Sequence, residues 1–341
     1  MYSNFVFEGS KVQGFVNPFS LPLKERDPTP HKKKRIIIIA GPTGVGKTQL
    51  SLMIARAIGG EIVSADSMQV YRGMDIGTAK ITPQERDAIR HHLIDSRDLD
   101  ETFNVVEFYN EAMQAFKEIF ARDHVPIVVG GTGFYIHSLI YGPPCGPASV
   151  PEVREKLEQE IDSLGPLNLY ERLKKLDPEY AATITFRDQH KIVRALEIIT
   201  LTDKKVSFFE KACHISHEYD FRCWFVYMPK EILYPKIEGR CEKMITDGFL
   251  QEVKQLDTEG LRQNSTAAQA IGYRQCLEFL NSPQSVDDWS RFVDLFKQAS
   301  RRYAKRQFTW FRKEELFRWI DVSAMGLEHT VEMIIQDYER A

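Results

Sequence analysis

Apolar and polar residues alternate along the first half of the chain in the manner of an α/β fold. Residues 36–40 form an apolar, β-branched run typical of a buried strand, and residues 48–58 have the three- and four-residue spacing of an amphipathic helix. The pattern further predicts a strand over 61–65, a helix over 103–120 and a third strand over 126–129. Because strands alternate with helices, we expect a parallel sheet.

The second half of the chain has a different pattern. Residues 142–147 read Gly-Pro-Pro-Cys-Gly-Pro and break regular structure. Charged, helical sequence follows from 151 to about 210, then a strand over 220–228 and mostly helical sequence. We predict a core made of 31–143 and 220–341 and an all-helical insertion domain over 144–219. Residues 1–30 carry four prolines and no periodicity, so we expect a poorly ordered extension.

A glycine-rich loop separates the first strand from the first helix and fits the pattern GxxxxGK[ST]. In such a P-loop, backbone N–H groups and a helix N-terminus hold phosphate oxygens, a lysine adds positive charge, and a hydroxyl binds Mg²⁺. The predicted fold is therefore a P-loop NTPase-like parallel sheet flanked by helices. The residues expected to bind a diphosphate or triphosphate are Gly41, Pro42, Thr43, Gly44, Val45, Gly46, Lys47 and Thr48, the last as the Mg²⁺ ligand.

The residues after the next strands differ from those of an ordinary P-loop ATPase. The strand over 126–129 ends in glycines around Thr132, with no carboxylate for Mg²⁺. Asp66 instead follows the strand over 61–65, which we expect to lie next to the P-loop. Its carboxylate could bind a metal or take a proton from a second substrate. As alternatives, Asp66 could cap a turn and the Thr132 loop could be a tight strand-to-helix turn.

Composition narrows the class of protein without identifying a partner. Hydrophobic residues make up 43% and charged residues 27% of the 341 residues, and 45 basic against 48 acidic side chains leave a net charge of −3. Collagen-like and disordered chains are excluded, and a nucleic-acid surface would need local clustering of Lys and Arg. The sequence has no membrane-length apolar run, no signal-peptide layout, and five cysteines without a CxxC pair, which do not indicate a disulfide framework. We expect a cytoplasmic protein without membrane contact.

Six segments together resemble one family, the tRNA dimethylallyltransferases, also called tRNA isopentenyltransferases. They follow the family's order from about residue 35 to 315, and P-loop kinases do not carry the long block over 66–80. There is no C-terminal zinc finger, so the chain resembles the bacterial form. The six segments are GPTGVGKT (41–48), DSMQVYRGMDIGTAK (66–80), HHLID (91–95), GGTGFY (130–135), AIGYR (270–274) and AKRQFTW (304–310).

The resemblance implies an activity and roles for four residues. The family transfers a dimethylallyl group from dimethylallyl diphosphate to N6 of adenosine 37, 3′ of the anticodon, in tRNAs reading codons that start with U. The P-loop would hold the diphosphate leaving group, with Mg²⁺ as cofactor. Asp66 would act as general base, and Thr132, Lys47 and Arg240 would stabilise the leaving diphosphate. For Arg240, a charge on a helix surface is the alternative.

Residues expected to contact tRNA come from three parts of the chain. A basic stripe on one helix, suited to RNA phosphates, would be formed by Arg301, Arg302, Lys305, Arg306, Arg312 and Lys313, with a solvated helix face as the alternative. The resemblance adds the segment that meets the target adenine and parts of the insertion, and it implies a monomer. The tRNA-contacting set is Asp66, Ser67, Met68, Gln69, Thr132, Arg154, Gln189, His190, Lys191, Ile192, Val193, Arg301, Lys305 and Arg306.

Three other functions are compatible with parts of the sequence. A P-loop kinase of a small metabolite would leave the block over 66–80 and the basic stripe unexplained. An isopentenyltransferase acting on free adenine nucleotides would not need the insertion. An RNA-binding regulator without catalysis would not need the intact set of Lys47, Thr48, Asp66 and Thr132.

Two groups of histidines and cysteines receive no chemical role from the sequence. His91 and His92 are expected to be packed or hydrogen-bonded. The spacing of Cys213, His214, His217 and Cys223 fits no standard zinc site.

Overall fold

Six strands form one all-parallel sheet in the part of the chain that the structure, a computed structural model, describes, namely residues 33–210 and 218–340. The strands are β1 (Lys34–Ala40), β2 (Gly60–Ala65), β3 (His91–His92), β4 (Val125–Gly130), β5 (Tyr219–Tyr227) and β6 (Arg318–Asp321). Their order across the sheet is β3-β2-β4-β1-β5-β6. Residues 36–39 of β1 have no exposed surface, as expected for a central strand covered on both faces. The predicted parallel α/β fold is confirmed.

The sheet differs from the sequence prediction at two points, a strand placed wrongly and edge strands that the pattern does not show. The strand that precedes Asp66 does not lie next to the P-loop strand, because β4 pairs with both β1 and β2 and lies between them. The short edge strands β3 and β6 were not predicted, because two and four residues are too few to show a periodicity. The carboxyl ends of β1, β2 and β4 still share one edge of the sheet, since all the strands are parallel.

Helices cover the sheet on both faces, and loops and turns connect the elements. α13 is the longest, and it begins at a capping box in which Ser285 and Asp288 exchange hydrogen bonds. The helices are α1 (Lys47–Ile58), α2 (Pro83–Ala88), α3 (Val105–Ala121), α4 (Gly133–Tyr141), α5 (Pro151–Leu164), α6 (Pro166–Leu176), α7 (Pro178–Ala181), α8 (Gln189–Thr202), α9 (Val206–Glu210), α10 (Lys230–Thr246), α11 (Phe249–Thr258), α12 (Tyr273–Leu280), α13 (Val286–Phe311), α14 (Val322–Met325) and α15 (Leu327–Arg340).

Helices α5 to α9 pack around a small hydrophobic core of their own, separate from the core around the sheet. The buried Glu197 carboxylate ties the segment before α5 to α8, because it accepts from the Ser149 hydroxyl at 2.6 Å and from Val150 N at 2.8 Å. A buried carboxylate needs such donors to offset its desolvation. The boundaries 144–219 of the insertion domain stay a prediction.

Two histidines and two cysteines singled out in the sequence have structural partners or are buried. The His92 ring is hydrogen-bonded to the buried Glu61 carboxylate at 2.7 Å, and the His91 ring is hydrogen-bonded to a backbone carbonyl, as expected. Cys145 is disulfide-bonded, against the expectation from cysteine spacing, which does not measure distance in space. Cys223 is a buried free thiol.

Part of the chain lies outside the described residues. This includes the extension predicted over 1–30 and the candidate zinc ligands Cys213, His214 and His217. Across the described ranges, no helix combines the length and apolar character needed to span a membrane.

Candidate active site

The loop between β1 and α1 forms one wall of a polar cavity of about 310 Å³, here called the phosphate compartment. Gly44 and Gly46 have φ angles of +80° and +98°, a left-handed conformation that lets the loop turn tightly and that side chains disfavour. Five of the eight predicted phosphate-binding residues line the compartment, while the other three are buried. The five are Thr43, Gly44, Gly46, Lys47 and Thr48, and the three are Gly41, Pro42 and Val45.

Lys47 is held against its own loop. Its Nζ donates to the carbonyl oxygens of Gly41 at 2.8 Å and Pro42 at 2.9 Å. Burial and the nearby Arg240 guanidinium lower the pKa of the Lys47 amine to about 7, while the Asp66 carboxylate opposes the shift. The amine therefore changes its charge close to neutral pH, and an anion in the compartment would favour its protonated form.

Asp66 follows β2 and lines the phosphate compartment although its strand is one place further from the P-loop than expected. Its Oδ1 accepts from Met68 N at 2.9 Å and Gln69 N at 3.4 Å, which is the turn-capping arrangement that the sequence also allowed. Among the described residues no hydrogen bond reaches Oδ2. One carboxylate oxygen thus fixes the turn and the other is free to meet a substrate.

A second cavity of about 290 Å³ adjoins the phosphate compartment, and we call it the mixed chamber. Its walls include apolar side chains of α10 and α13, among them Ile237, Met244 and Phe296. The residues that line both cavities are Thr43, Asp66, Thr78, Arg240 and Tyr303. The Asp66 carboxylate therefore lies at the junction of a phosphate-binding loop and a partly apolar chamber.

Arg240 lies on α10 and lines both cavities, so it is not a surface charge. Burial lowers the pKa of its guanidinium, and the Asp66 carboxylate opposes this. Arginine remains charged in proteins, so the group supplies a fixed cation beside the P-loop.

Thr132 caps the start of α4, and its hydroxyl accepts from Ser67 N at 3.1 Å. This contact joins the loop after β4 to the loop after β2. Ser67 and Met68 line the mixed chamber, whereas Gln69 lines the phosphate compartment. The Gln69 side-chain amide accepts from the Ser64 hydroxyl and donates to the Thr78 carbonyl.

Two residues of α13 complete the site and were not assigned from the sequence. Gln307 is buried, accepts from Thr43 N at 2.9 Å and donates to the Gly131 carbonyl at 3.0 Å. Tyr303 lines both cavities, and burial together with the Asp66 carboxylate raises the pKa of its hydroxyl far above the usual value. Both lie in or next to the segment AKRQFTW, but nothing in that segment indicates what its side chains contact.

The predicted tRNA-contacting residues of the insertion divide into two groups. Gln189, His190 and Lys191 are exposed at the start of α8. Ile192 and Val193 are 0% and 2% exposed and their side chains pack in the insertion's core, so the contact of this part of the segment with tRNA stays a prediction. They lie on the apolar face of an amphipathic helix, and that face packs against the other helices.

Arg154 lies on α5 and pairs with Glu158 four residues later, at 2.9 Å. Its side chain is half-buried, so part of it remains accessible beside this i,i+4 pair.

The basic stripe is smaller than the sequence predicts. α13 ends at Phe311, so Arg312 and Lys313 lie beyond the helix. Arg301 forms an ion pair with Glu238 of α10. This partner lies far away in the sequence, so the charges of the segment around Arg301 do not reveal it. The remaining cations, Arg302, Lys305 and Arg306, are exposed, and Arg306 also lines the mixed chamber.

Comparisons with known proteins show the family of the chain. The family model described as IPP transferase matches residues 69–314. A tRNA dimethylallyltransferase of Protochlamydia amoebophila is 56% identical over 342 residues, covering 99% of each chain.

Two solved structures are also similar. A full-length tRNA isopentenylpyrophosphate transferase of Bacillus halodurans superimposes with a TM-score of 0.66 at 37% identity, covering 90% of this chain and 97% of that one. A eukaryotic dimethylallyltransferase acting on tRNA has a TM-score of 0.72 at 32% identity, covering 84% and 74%. The P-loop, the carboxylate at its side and these matches over most of the sequence lead to one conclusion: the chain belongs to the IPP transferase family, the tRNA dimethylallyltransferases.

Proposed function

We propose that this protein transfers the dimethylallyl group of dimethylallyl diphosphate to N6 of adenosine 37, 3′ of the anticodon, in tRNAs reading codons that start with U. The products are N6-dimethylallyladenosine and diphosphate. The observation that carries the proposal is the Asp66 carboxylate at the junction between the phosphate compartment and the mixed chamber. The names of the relatives favour this function over a small-molecule kinase and over transfer to free adenine nucleotides.

The reaction makes one bond and breaks one. The N6 amine attacks the allylic carbon, and the electron pair of the carbon–oxygen bond leaves with the diphosphate. The amine nitrogen becomes positive until it loses a proton, which Asp66 would accept at Oδ2. Negative charge grows on the diphosphate as it leaves, and Lys47, Arg240 and the P-loop N–H groups would stabilise it.

Mg²⁺ is part of the proposal. Thr48 lines the phosphate compartment, and its hydroxyl would hold the ion together with oxygens of the diphosphate. No cluster of three His, Cys, Asp or Glu that could hold a metal occurs in the described ranges. That fits Mg²⁺, which proteins bind largely through substrate phosphates and water rather than through a cage of side chains. When bound, it would neutralise charge on the leaving diphosphate.

The target amine lies among stacked bases in an RNA loop. An adenine has to leave that stack to reach a carboxylate inside a cavity, and a flipped nucleotide would enter the mixed chamber past Ser67 and Met68. The exposed cations of α13 and of the start of α8 would hold the surrounding phosphates. We propose that the protein acts as a monomer in the cytoplasm.

One incubation tests the function. Radiolabelled dimethylallyl diphosphate is supplied with unmodified tRNA or with AMP, and labelled ATP is supplied with small acceptors in a third reaction. Label in the tRNA, at adenosine 37 after nuclease digestion, is the expected result. Label in AMP alone, or a phosphorylated acceptor alone, would replace the proposal by one of the alternatives.

A further inference from the structure

A lysine that no sequence motif assigns lies in the wall of the phosphate compartment. Lys236 is on α10, one helical turn before Arg240, and both side chains line the compartment. Residues four apart on a helix lie on the same face, so the two cations face the P-loop together.

The surroundings of Lys236 differ from those of its neighbours. Its Nζ lies 3.5 Å from the sulfur of Met228, which follows β5, and a thioether is only a weak acceptor. No carboxylate of the described residues pairs with it. Two other lysines, Lys243 of α10 and Lys297 of α13, each pair with an acidic side chain.

The charge in the compartment is therefore unbalanced. Lys47, Lys236 and Arg240 contribute three basic groups, and Asp66 is the single carboxylate among the lining residues. A cleft lined by like charges attracts counter-ions, and it attracts an anion of more than one charge more strongly than an anion of a single charge. The P-loop and Arg240 account for one side of such an anion, and Lys236 adds a donor with no other strong partner.

We propose that Lys236 binds the diphosphate of the prenyl substrate directly, together with Arg240, and keeps this contact with the leaving diphosphate. The inference rests on the proposed function for the identity of the substrate, but the chemistry recognised is that of any diphosphate. A compact, mobile ammonium group fits this role, because it can follow the phosphate oxygens as the carbon–oxygen bond breaks.

The experiment measures binding of inorganic pyrophosphate to the full-length protein by calorimetry, in buffer containing Mg²⁺. Lys236→Ala should weaken binding about tenfold or more, which is the effect of losing one hydrogen bond to a charged group. Lys236→Arg should retain most of the affinity. The matched control is Lys243→Ala, which removes a lysine of the same helix that pairs with Asp247 and lies outside both cavities.

The outcomes separate this inference from the proposed function. If Lys236→Ala binds pyrophosphate as tightly as Lys243→Ala does, Lys236 is a surface lysine and the inference is wrong. Thermal unfolding of each variant shows whether weaker binding reflects a folding defect. If Lys236→Ala is unfolded, Lys236→Arg decides. A folded Lys236→Arg that binds pyrophosphate as weakly as Lys236→Ala also overturns the inference. A wild-type protein that binds pyrophosphate but labels no tRNA would refute the function and leave the lysine test in place.

Discussion

The two oxygens of Asp66 have different tasks. Oδ1 is committed to the N–H groups of Met68 and Gln69, and this holds the carboxylate in one orientation at the junction of the two cavities. A base that needs no reorganisation at the moment of proton transfer is more effective than a mobile one. The turn-capping explanation and the catalytic explanation of Asp66 are therefore compatible.

The substitution Asp66→Asn tests this division. The amide oxygen of the new side chain can still accept from Met68 N, so the turn should persist, but the side chain cannot take a proton. We expect the transfer rate to fall by about 10² or more. Single-turnover kinetics with saturating tRNA measures the rate, and anisotropy of labelled tRNA should show unchanged binding. Activity near that of the wild type would contradict the assignment of the base.

The lowered pKa of Lys47 predicts a pH dependence of diphosphate binding. Since the pKa of the Lys47 amine in the ligand-free protein is about 7, the amine loses its charge above that pH. Binding of an anion then requires uptake of a proton. Loss of the Lys47 charge should make the affinity for pyrophosphate fall by up to about tenfold per pH unit above about pH 7. Calorimetry in buffers of different ionisation enthalpy measures the proton uptake.

Lys47→Arg provides the control for this dependence. An arginine stays charged across the range, so the variant should lose the decrease at alkaline pH, whatever its absolute affinity. A decrease of the same size in the variant would assign the pH dependence to another group.

At the scale of elements, α13 holds the site together. Its residue Gln307 bonds the P-loop at Thr43 and the loop after β4 at Gly131, so the spacing between these loops depends on a helix much later in the chain. A Cβ added at Gly131 would lie 2.0 Å from Gln307 Nε2, which explains a glycine there. Trp310 packs in the same way against Gly133, because a Cβ added at Gly133 would lie 2.4 Å from Trp310 Cδ1.

Gln307→Met removes both hydrogen bonds at nearly constant volume. Thr43 N and the Gly131 carbonyl lose their partner, and each such bond contributes about 1 kcal/mol. We expect kcat to fall about tenfold or more, with a smaller change in the KM for tRNA, because the P-loop and the Thr132 loop lose their fixed spacing. Steady-state kinetics with both substrates measures the split, and Gln114→Met, at an exposed position of α3, is the control. Equal increases in both KM values with unchanged kcat would contradict a positioning role.

At the scale of the whole molecule, RNA binding has to come from local charge, because the chain as a whole is slightly acidic. Arg302 and Lys305 are exposed on α13 and form no ion pair with a described residue, whereas Arg301 is neutralised by Glu238. The exposed, unpaired cations therefore define where RNA phosphates can be bound without breaking an ion pair of the protein.

This surface predicts a salt dependence. The affinity for tRNA should fall linearly on a double-logarithmic plot between about 50 and 200 mM salt, and the double variant Arg302→Ala/Lys305→Ala should lower the slope by about 2. Anisotropy titrations at several salt concentrations measure both. Lys117→Ala, at an exposed position of α3, should leave the slope unchanged. A wild-type affinity that does not change with salt would refute an interface based on phosphates.

The sequence alone was enough to predict the local features of the core. A β-branched run, a glycine loop and an amphipathic helix in succession predict β1, the P-loop and α1, because periodicity and glycine conformations are properties of neighbouring residues. The same reasoning placed Lys47 and Thr48 at a phosphate site and Asp66 at the end of a strand. Resemblance to a family then supplied the activity.

Only the tertiary structure decided which distant residues meet. β4 lies between β1 and β2, Glu238 neutralises Arg301, Gln307 bridges two loops, and Ile192 packs in the insertion's core. Each of these depends on segments far apart in the chain, and a residue pattern within one segment carries no information about what packs against it. The charge and the spacing of the active site depend on those contacts, because burial and partners shift the pKa of a side chain from the value set by its residue type and fix its orientation.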